Sequence, residues 1–236
     1  MRLFALGLIA LLLPFPARSL CLVPRPRLVC AEYFASQLVV EATLIHVDNV
    51  LENGDPYAIL SRTYTLRVDQ TLRGEQSETI QVSESNDSGR AVFDWIPRRK
   101  YLLFLSHFGA ERDWSLDGCG NSGPLRKSRR ALSVIEQLKT RHGDGFIHGV
   151  VSDEFLSRGI SDVHVNASGS AGVFTAVTNS KGRFEIKVPP GKYTVIADKD
   201  ADGETFETAE LSYLDSKNIQ IEPGECVQLQ LSRVRR

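Results

Sequence analysis

The stretch "TNSKGRFEIKVPPGKYTVIA", residues 178 to 197, constrains the fold of this chain more than any other. Its apolar and polar residues alternate through "RFEIKV" (183–188) and again through "KYTVIA" (192–197). A period of two places the apolar set on one face of a strand and the polar set on the other. Gly182 allows a tight turn before the first run, and Pro189–Gly191 turn the chain between the two. Phe184 and Tyr193 are expected to fill a core. A strand with one apolar face must bury that face against a second layer.

The rest of the second half has the same texture. "FIHGVV" (146–151), "DVHVNAS" (162–168), "VFTAVT" (173–178), "TFETAEL" (205–211), "NIQI" (218–221) and "CVQLQL" (226–231) read as further short strands. Val163, Val165 and Ala167 are expected to point inward, and "NSKG" to form a hairpin turn. Short strands at regular spacing with Gly/Pro turns predict a β-sandwich over 145–234. "RHGDGF" (141–146) breaks the preceding helical pattern with closely spaced glycines, which puts a domain boundary near Gly143.

Before that seam the pattern is strands followed by one helix. "LVVEATLIHVDNV" (38–50) has the length of a long, curved strand, and "NGDP" supplies a turn. In "TYTLRVDQTL" (63–72), Tyr64, Leu66 and Val68 share a face. "ETIQVSES" (78–85), "KYLLFLSHF" (100–108) and "WSLDGC" (114–119) follow as strands. Pro124 then opens a helix, with Ser122 as its cap and an apolar stripe of Leu125, Leu132, Ile135 and Leu138. Five strands with a helix laid against them suit a small closed barrel over 20–142. The expected fold class is therefore mainly β: an OB-like five-stranded barrel with a C-terminal helix, followed by a sandwich.

The N-terminus has a different character. One basic residue, Arg2, precedes an apolar run from Leu3 to Leu13; Pro14 and Pro16 end it, and Ala17 and Ser19 are small. This is the layout of a cleaved secretory signal peptide over 1–19. The run is shorter than the roughly 20 residues that span a bilayer, and no other stretch resembles a membrane span. Export permits disulfides among Cys21, Cys30, Cys119 and Cys226. These four cysteines allow three complete pairings. A net charge of −1 argues against nucleic-acid binding, which shows as a strongly basic domain.

Two resemblances add to this reading. "CLVPRP", "FASQLVVEATLIHV", "YTLRVDQTLRG" and "YLLFLSHF…WSLDGCGNSGPL" together resemble the inhibitory, netrin-like OB-fold domain of tissue inhibitors of metalloproteinases, over about 21–140. In that family an N-terminal cysteine in a C-x-C-x-P arrangement chelates the protease zinc. Here the expected mature chain begins Leu20-Cys21 without a C-x-C, and "SNDSGRAVF" has no cysteine. The resemblance therefore implies the fold ahead of inhibition. It also implies a disulfide from the N-terminal segment to Cys119, with Cys21 ahead of Cys30 as its partner. "GVV…GISDVHV…TNSKGRFEIKVPPGKYTV" resembles the carboxypeptidase regulatory-like, prealbumin-like sandwich. Members of that fold are usually accessory modules, and some related sandwiches bind carbohydrate.

Two features are candidates for chemistry. In "DKDADGETFE" (198–207), Asp198, Asp200 and Asp202 occupy positions 1, 3 and 5 of a calcium loop, and Gly203 the turn at position 6. Ala209 stands where the bidentate glutamate of an EF-hand belongs, and the flanks read as strands. Calcium in a looser β-loop site is the cofactor this leaves; an acidic strand connection has the same composition. "RKSRR" supplies Arg126, Lys127, Arg129 and Arg130 as a candidate surface for acidic polysaccharide or lipid headgroups. Charge runs of this kind also occur on solvated helix faces.

His46, His107, His142, His148 and His164 lack H-E-x-x-H spacing, and the chain has neither a G-x-S-x-G elbow nor a P-loop. The expected function is a non-catalytic binding or adhesion module, exported to the periplasm or cell surface. Its expected partner is an envelope protein or polysaccharide. Protease inhibition through the N-terminal segment and carbohydrate binding by the sandwich are the alternatives.

Overall fold

The computed structural model describes residues 27–55, 57–86, 91, 93–107, 113–153, 158–199, 203–208 and 214–234. The expected signal segment, Cys21, Asp200 and Asp202 lie outside the described residues. The protein is mainly β, arranged in three sheets.

The first sheet is built from β1 (Leu38–Leu51), β2 (Ile59–Arg73), β3 (Thr79–Ser85), β4 (Lys100–Ser106) and β5 (Ser115–Leu116), with the short β6 (Gly123–Pro124) beside β4. Its order is β3-β2-β1-β4-β5. A parallel bridge between Val82 and Trp114 brings the two ends together. The Ser83 amide donates to the Trp114 carbonyl, and the Trp114 amide to the Gln81 carbonyl. The circuit thus closes through the residue that precedes β5. Register shifts along the β1–β2 ladder bend β1, the strand whose length predicted curvature.

The closed sheet has two apolar faces. Val40, Leu44, Leu66, Tyr101 and Leu103 form the interior, while Val39, Leu102 and Phe104 pack outward. This is why "YLLFL" is apolar throughout instead of alternating: β4 is buried on both sides. The outward residues are covered by α2 (Arg129–Lys139), through Ala131, Ile135 and Leu138, and by Tyr33 of α1 (Val29–Ala35).

Two expectations about this half are corrected. The helix begins at Arg129, not Pro124: residues 125–127 form a separate 3-10 turn. Ser122 is not its cap, because the Ser122 hydroxyl accepts from the Phe104 amide and so serves β4. Helix α1 lies ahead of the first expected strand, in a segment where the sequence places no element.

The second half contains β7 (Gly145–Ser152), β8 (His164–Gly169), β9 (Gly172–Val177), β10 (Arg183–Val188), β11 (Gly191–Ala197), β12 (Thr205–Thr208), β13 (Ile219–Ile221) and β14 (Cys226–Val234). They form two four-stranded sheets, β10-β7-β14-β12 and β13-β11-β8-β9. Val163, Val165, Ala167, Phe184, Ile186 and Tyr193 lie in the core between them, as the alternation predicted. β14 runs parallel to β7, which places the last strand beside the first.

"NSKG" does not make a hairpin. β9 pairs with β8 in one sheet and β10 with β7 in the other, so the turn carries the chain across the sandwich. The local turn is nonetheless tight: the Gly182 amide donates to the Asn179 carbonyl, and the Asn179 amide to the Arg183 carbonyl. Gly182 has φ +70°, and a Cβ there would lie 2.3 Å from the Val151 carbonyl oxygen.

Candidate interdomain site

The two halves are fastened where α1 meets the start of β14. Cys30, on α1, is joined by a disulfide to Cys226, the first residue of β14, with their Cα atoms 5.9 Å apart. The Leu28 amide donates to Gln228 Oε1 at 2.8 Å. Helix α1 thus packs against the barrel with one face and the sandwich with another. Cys119 is also disulfide-bonded, and Cys21, its partner by resemblance, lies outside the described residues.

Glu32 is the electrostatic centre of this junction. It is only 1% exposed. Its Oε2 accepts from the Asn121 amide at 2.7 Å and from Asn121 Nδ2 at 2.6 Å. Asn121 Nδ2 also reaches the Arg27 carbonyl at 3.2 Å, which ties the chain entering α1 to the 117–121 turn. Glu32 Oε1 has no hydrogen-bond partner among the described residues. It abuts Gly120, where an added Cβ would lie 2.0 Å away, so only glycine leaves room for the carboxyl group. Burial pushes the Glu32 carboxyl above the ordinary glutamate range, against the opposing pull of Arg27 and of the Asn121 hydrogen bonds. Arg27 forms an ion pair with Asp117, whose other oxygen accepts from the Cys119 amide.

A cavity of about 460 Å³ opens beside this junction, between barrel and sandwich. Ala35 and Phe104 from the first half and Leu214 and Val227 from the second give it apolar walls. Arg27, Asp117, Glu225 and Gln228 supply polar groups. Ligand sites favour such clefts between domains, with apolar walls and a few fixed polar groups, in a volume range of roughly 300–1,000 Å³. Burial raises the Glu225 carboxyl as well, partly offset by its hydrogen bond from the Glu222 amide and by the charge of Arg73.

Of the residues singled out in the sequence, Cys226 lines this cavity, whereas Asp198, Arg126, Lys127, Arg129 and Arg130 do not. Asp198 sits on the outer face of the sandwich, where its carboxylate accepts from Asn166 Nδ2 at 3.0 Å. Among the described residues no group of three His, Cys, Asp or Glu side chains is placed to hold a metal ion. Arg126 and Lys127 end the 3-10 turn, and Arg129 and Arg130 begin α2; all four are exposed. None of the four lines the cavity. The residues that build the cavity carry little sequence signal, because they come from separated segments. A glutamate amid apolar neighbours in "VCAEYFA", beside a cysteine, is the one local hint.

Residues 147–231 match the family model of the carboxypeptidase regulatory-like domain, a non-catalytic domain family. This agrees with the sandwich and with the resemblance of the second half. A search of curated proteins finds no match. Among solved structures, the Bacillus anthracis TIE protein is similar at 14% identity, over 84% of this chain and 31% of that one, with a TM-score of 0.30. The chain therefore spans about a third of the length of that protein. Among the described residues no helix is long and apolar enough to cross a membrane.

Proposed function

We propose that this protein is an exported, non-catalytic binding module whose ligand seats in the cavity between its two halves. The observation that carries the reading is the junction itself. A disulfide and a hydrogen bond from α1 to β14 hold two separately cored units around one cleft of ligand size, with the buried Glu32 in its wall. A preformed cleft spares a ligand the cost of ordering its site. Export through the segment 1–19 agrees with the disulfide, since oxidising compartments are where such bonds persist. The partner is an envelope protein or polysaccharide.

Ala35 is exposed at the cavity wall, so Ala35→Trp fills the opening without disturbing a core. Affinity capture from the native envelope, with and without calcium, compares parent and variant. A ligand retained by the parent and lost by Ala35→Trp supports the reading. Identical capture by both overturns it.

The order of the closed five-strand circuit and the engagement of Cys119 in a disulfide favour a second reading. The first half is then a netrin-like domain, and its N-terminal segment acts on a protease. Sequencing of the mature N-terminus tests this: a start at Cys21 supports inhibition, and a start at Leu20 counts against it.

A further inference from the structure

The edge strands of the sandwich are not protected equally. β10 carries Arg183, Glu185 and Lys187 on its exposed side, β12 carries Glu207, and β13 is only three residues long. Charge and shortness are the usual means of blocking an edge. β9, "GVFTAV", has neither charge nor proline, and among the described residues its only partner strand is β8. Val173 is 66% exposed and Val177 49%, and Ile196 of β11 is exposed on the same outer face at 57%.

The backbone of β9 is set to accept another strand. Gly169 and Gly172 flank a two-residue hairpin loop, and the Thr178 amide donates to the Val163 carbonyl. Alternation along an antiparallel ladder then turns the amides and carbonyls of Gly172, Phe174 and Ala176 toward β8. Those of Val173, Thr175 and Val177 point away from the sheet. Phe174 and Ala176 pack against the core, so the side chains beside this open edge are Val173, Thr175 and Val177.

We propose that β9 pairs antiparallel with β9 of a second copy of this chain, about a two-fold axis at Thr175. The sequence is self-complementary in that register. Val173 faces the partner's Val177, Phe174 faces the partner's Ala176, and Thr175 faces the partner's Thr175. Large meets small on the inner side, and valine meets valine on the outer side. No charge opposes a like charge across the pair. Every outward amide and carbonyl finds a partner, and the two four-stranded sheets become one of eight. An isologous contact of this kind closes at two copies. It lies on the sandwich, and it stands whether or not the interdomain cavity binds a ligand.

The experiment is sedimentation equilibrium of the mature, disulfide-bonded chain over a rising concentration series. The expected result is a shift from monomer to twice the monomer mass. Thr175→Pro removes an outward amide at a position where an edge tolerates proline, and it should keep the chain monomeric. Val173→Lys/Val177→Lys should do the same by opposing two cations. Circular dichroism and the melting temperature establish that each variant is folded. Thr175→Cys gives a second readout: paired residues at the axis lie within disulfide reach, so glutathione-buffered oxidation should yield a covalent dimer on a non-reducing gel. A parent that stays monomeric throughout overturns the proposal. So does a dimer that survives Thr175→Pro, or a Thr175→Cys variant that fails to cross-link.

Discussion

Cys30 and Cys226 are 196 residues apart in sequence and covalently joined in the fold, one on the helix before the barrel and the other at the start of the last strand of the sandwich. Almost the whole described chain lies within the loop this bond closes. It decides the relative placement of the two halves, because α1 also packs against the barrel through Tyr33, whose hydroxyl donates to the Leu72 carbonyl at 3.1 Å. Arg73 lies over the rings of Tyr33 and Phe34, 5.4 Å from each centroid, and further fixes the helix.

Removing the bond should uncouple the halves. Cys30→Ser/Cys226→Ser is expected to cost about 2–5 kcal/mol, the range for a native disulfide that closes a long loop. Scanning calorimetry should show one transition in the parent and two in the variant.

Glu32 should make stability depend on pH in an unusual direction for a carboxyl group. Its folded pKa lies above the ordinary value of 4.5, so the folded state holds the proton more tightly than the unfolded state. The stability this contributes is fully present below 4.5 and is lost as pH rises through the folded pKa. Thermal melts of parent and Glu32→Gln across the acid-to-neutral range should therefore differ in slope. The parent should lose ground to the variant as pH rises.

Asp69 acts in the opposite sense. It accepts from Thr43 at 2.6 Å and pairs with Arg67 at 3.1 Å and Lys100 at 3.3 Å. Burial pushes its carboxyl up, but these three partners outweigh burial and hold it below 3.8. Its contribution is present above 3.8 and is lost as pH falls through the folded pKa. Asp69→Asn should lower the melting temperature at neutral pH, and the deficit should shrink in strong acid.

Gly182→Ala tests the crossing between sheets. A methyl group would meet the Val151 carbonyl at 2.3 Å, in a backbone conformation with φ +70° that side chains rarely adopt. The expected cost is about 1–3 kcal/mol, read from the denaturant midpoint.

Arg129 and Arg130 occupy the first turn of α2, which has no acidic residue there and no side-chain cap. The helix macrodipole disfavours cations at that end. Arg129→Glu/Arg130→Glu should therefore stabilise the protein by about 0.3–1 kcal/mol per site at low salt, and less as salt is added. If the parent is retained on a heparin column, the same variant should elute early.

The alternation in "RFEIKVPPGKYTV" was sufficient to place β10, β11 and the core residues Phe184, Ile186 and Tyr193, because a period of two is a local property. Leu132, Ile135 and Leu138 likewise marked the packed face of α2, although Leu125, the first of that stripe, falls in the separate 3-10 turn. Local signals failed where a choice between partners was needed. "NSKG" has the composition of a hairpin turn, yet only packing decides whether the next strand returns to the same sheet or crosses to the other. "VCAEYFA" forms a helix that lies between the two halves. Neither the pairing of Cys30 with Cys226 nor the burial of Glu32 against Gly120 has a local signature, since both depend on chain segments far apart in sequence. Local pattern alone carried most of the strands and the apolar faces they bury. The tertiary structure decided how the two halves are locked together, and therefore where the cleft lies.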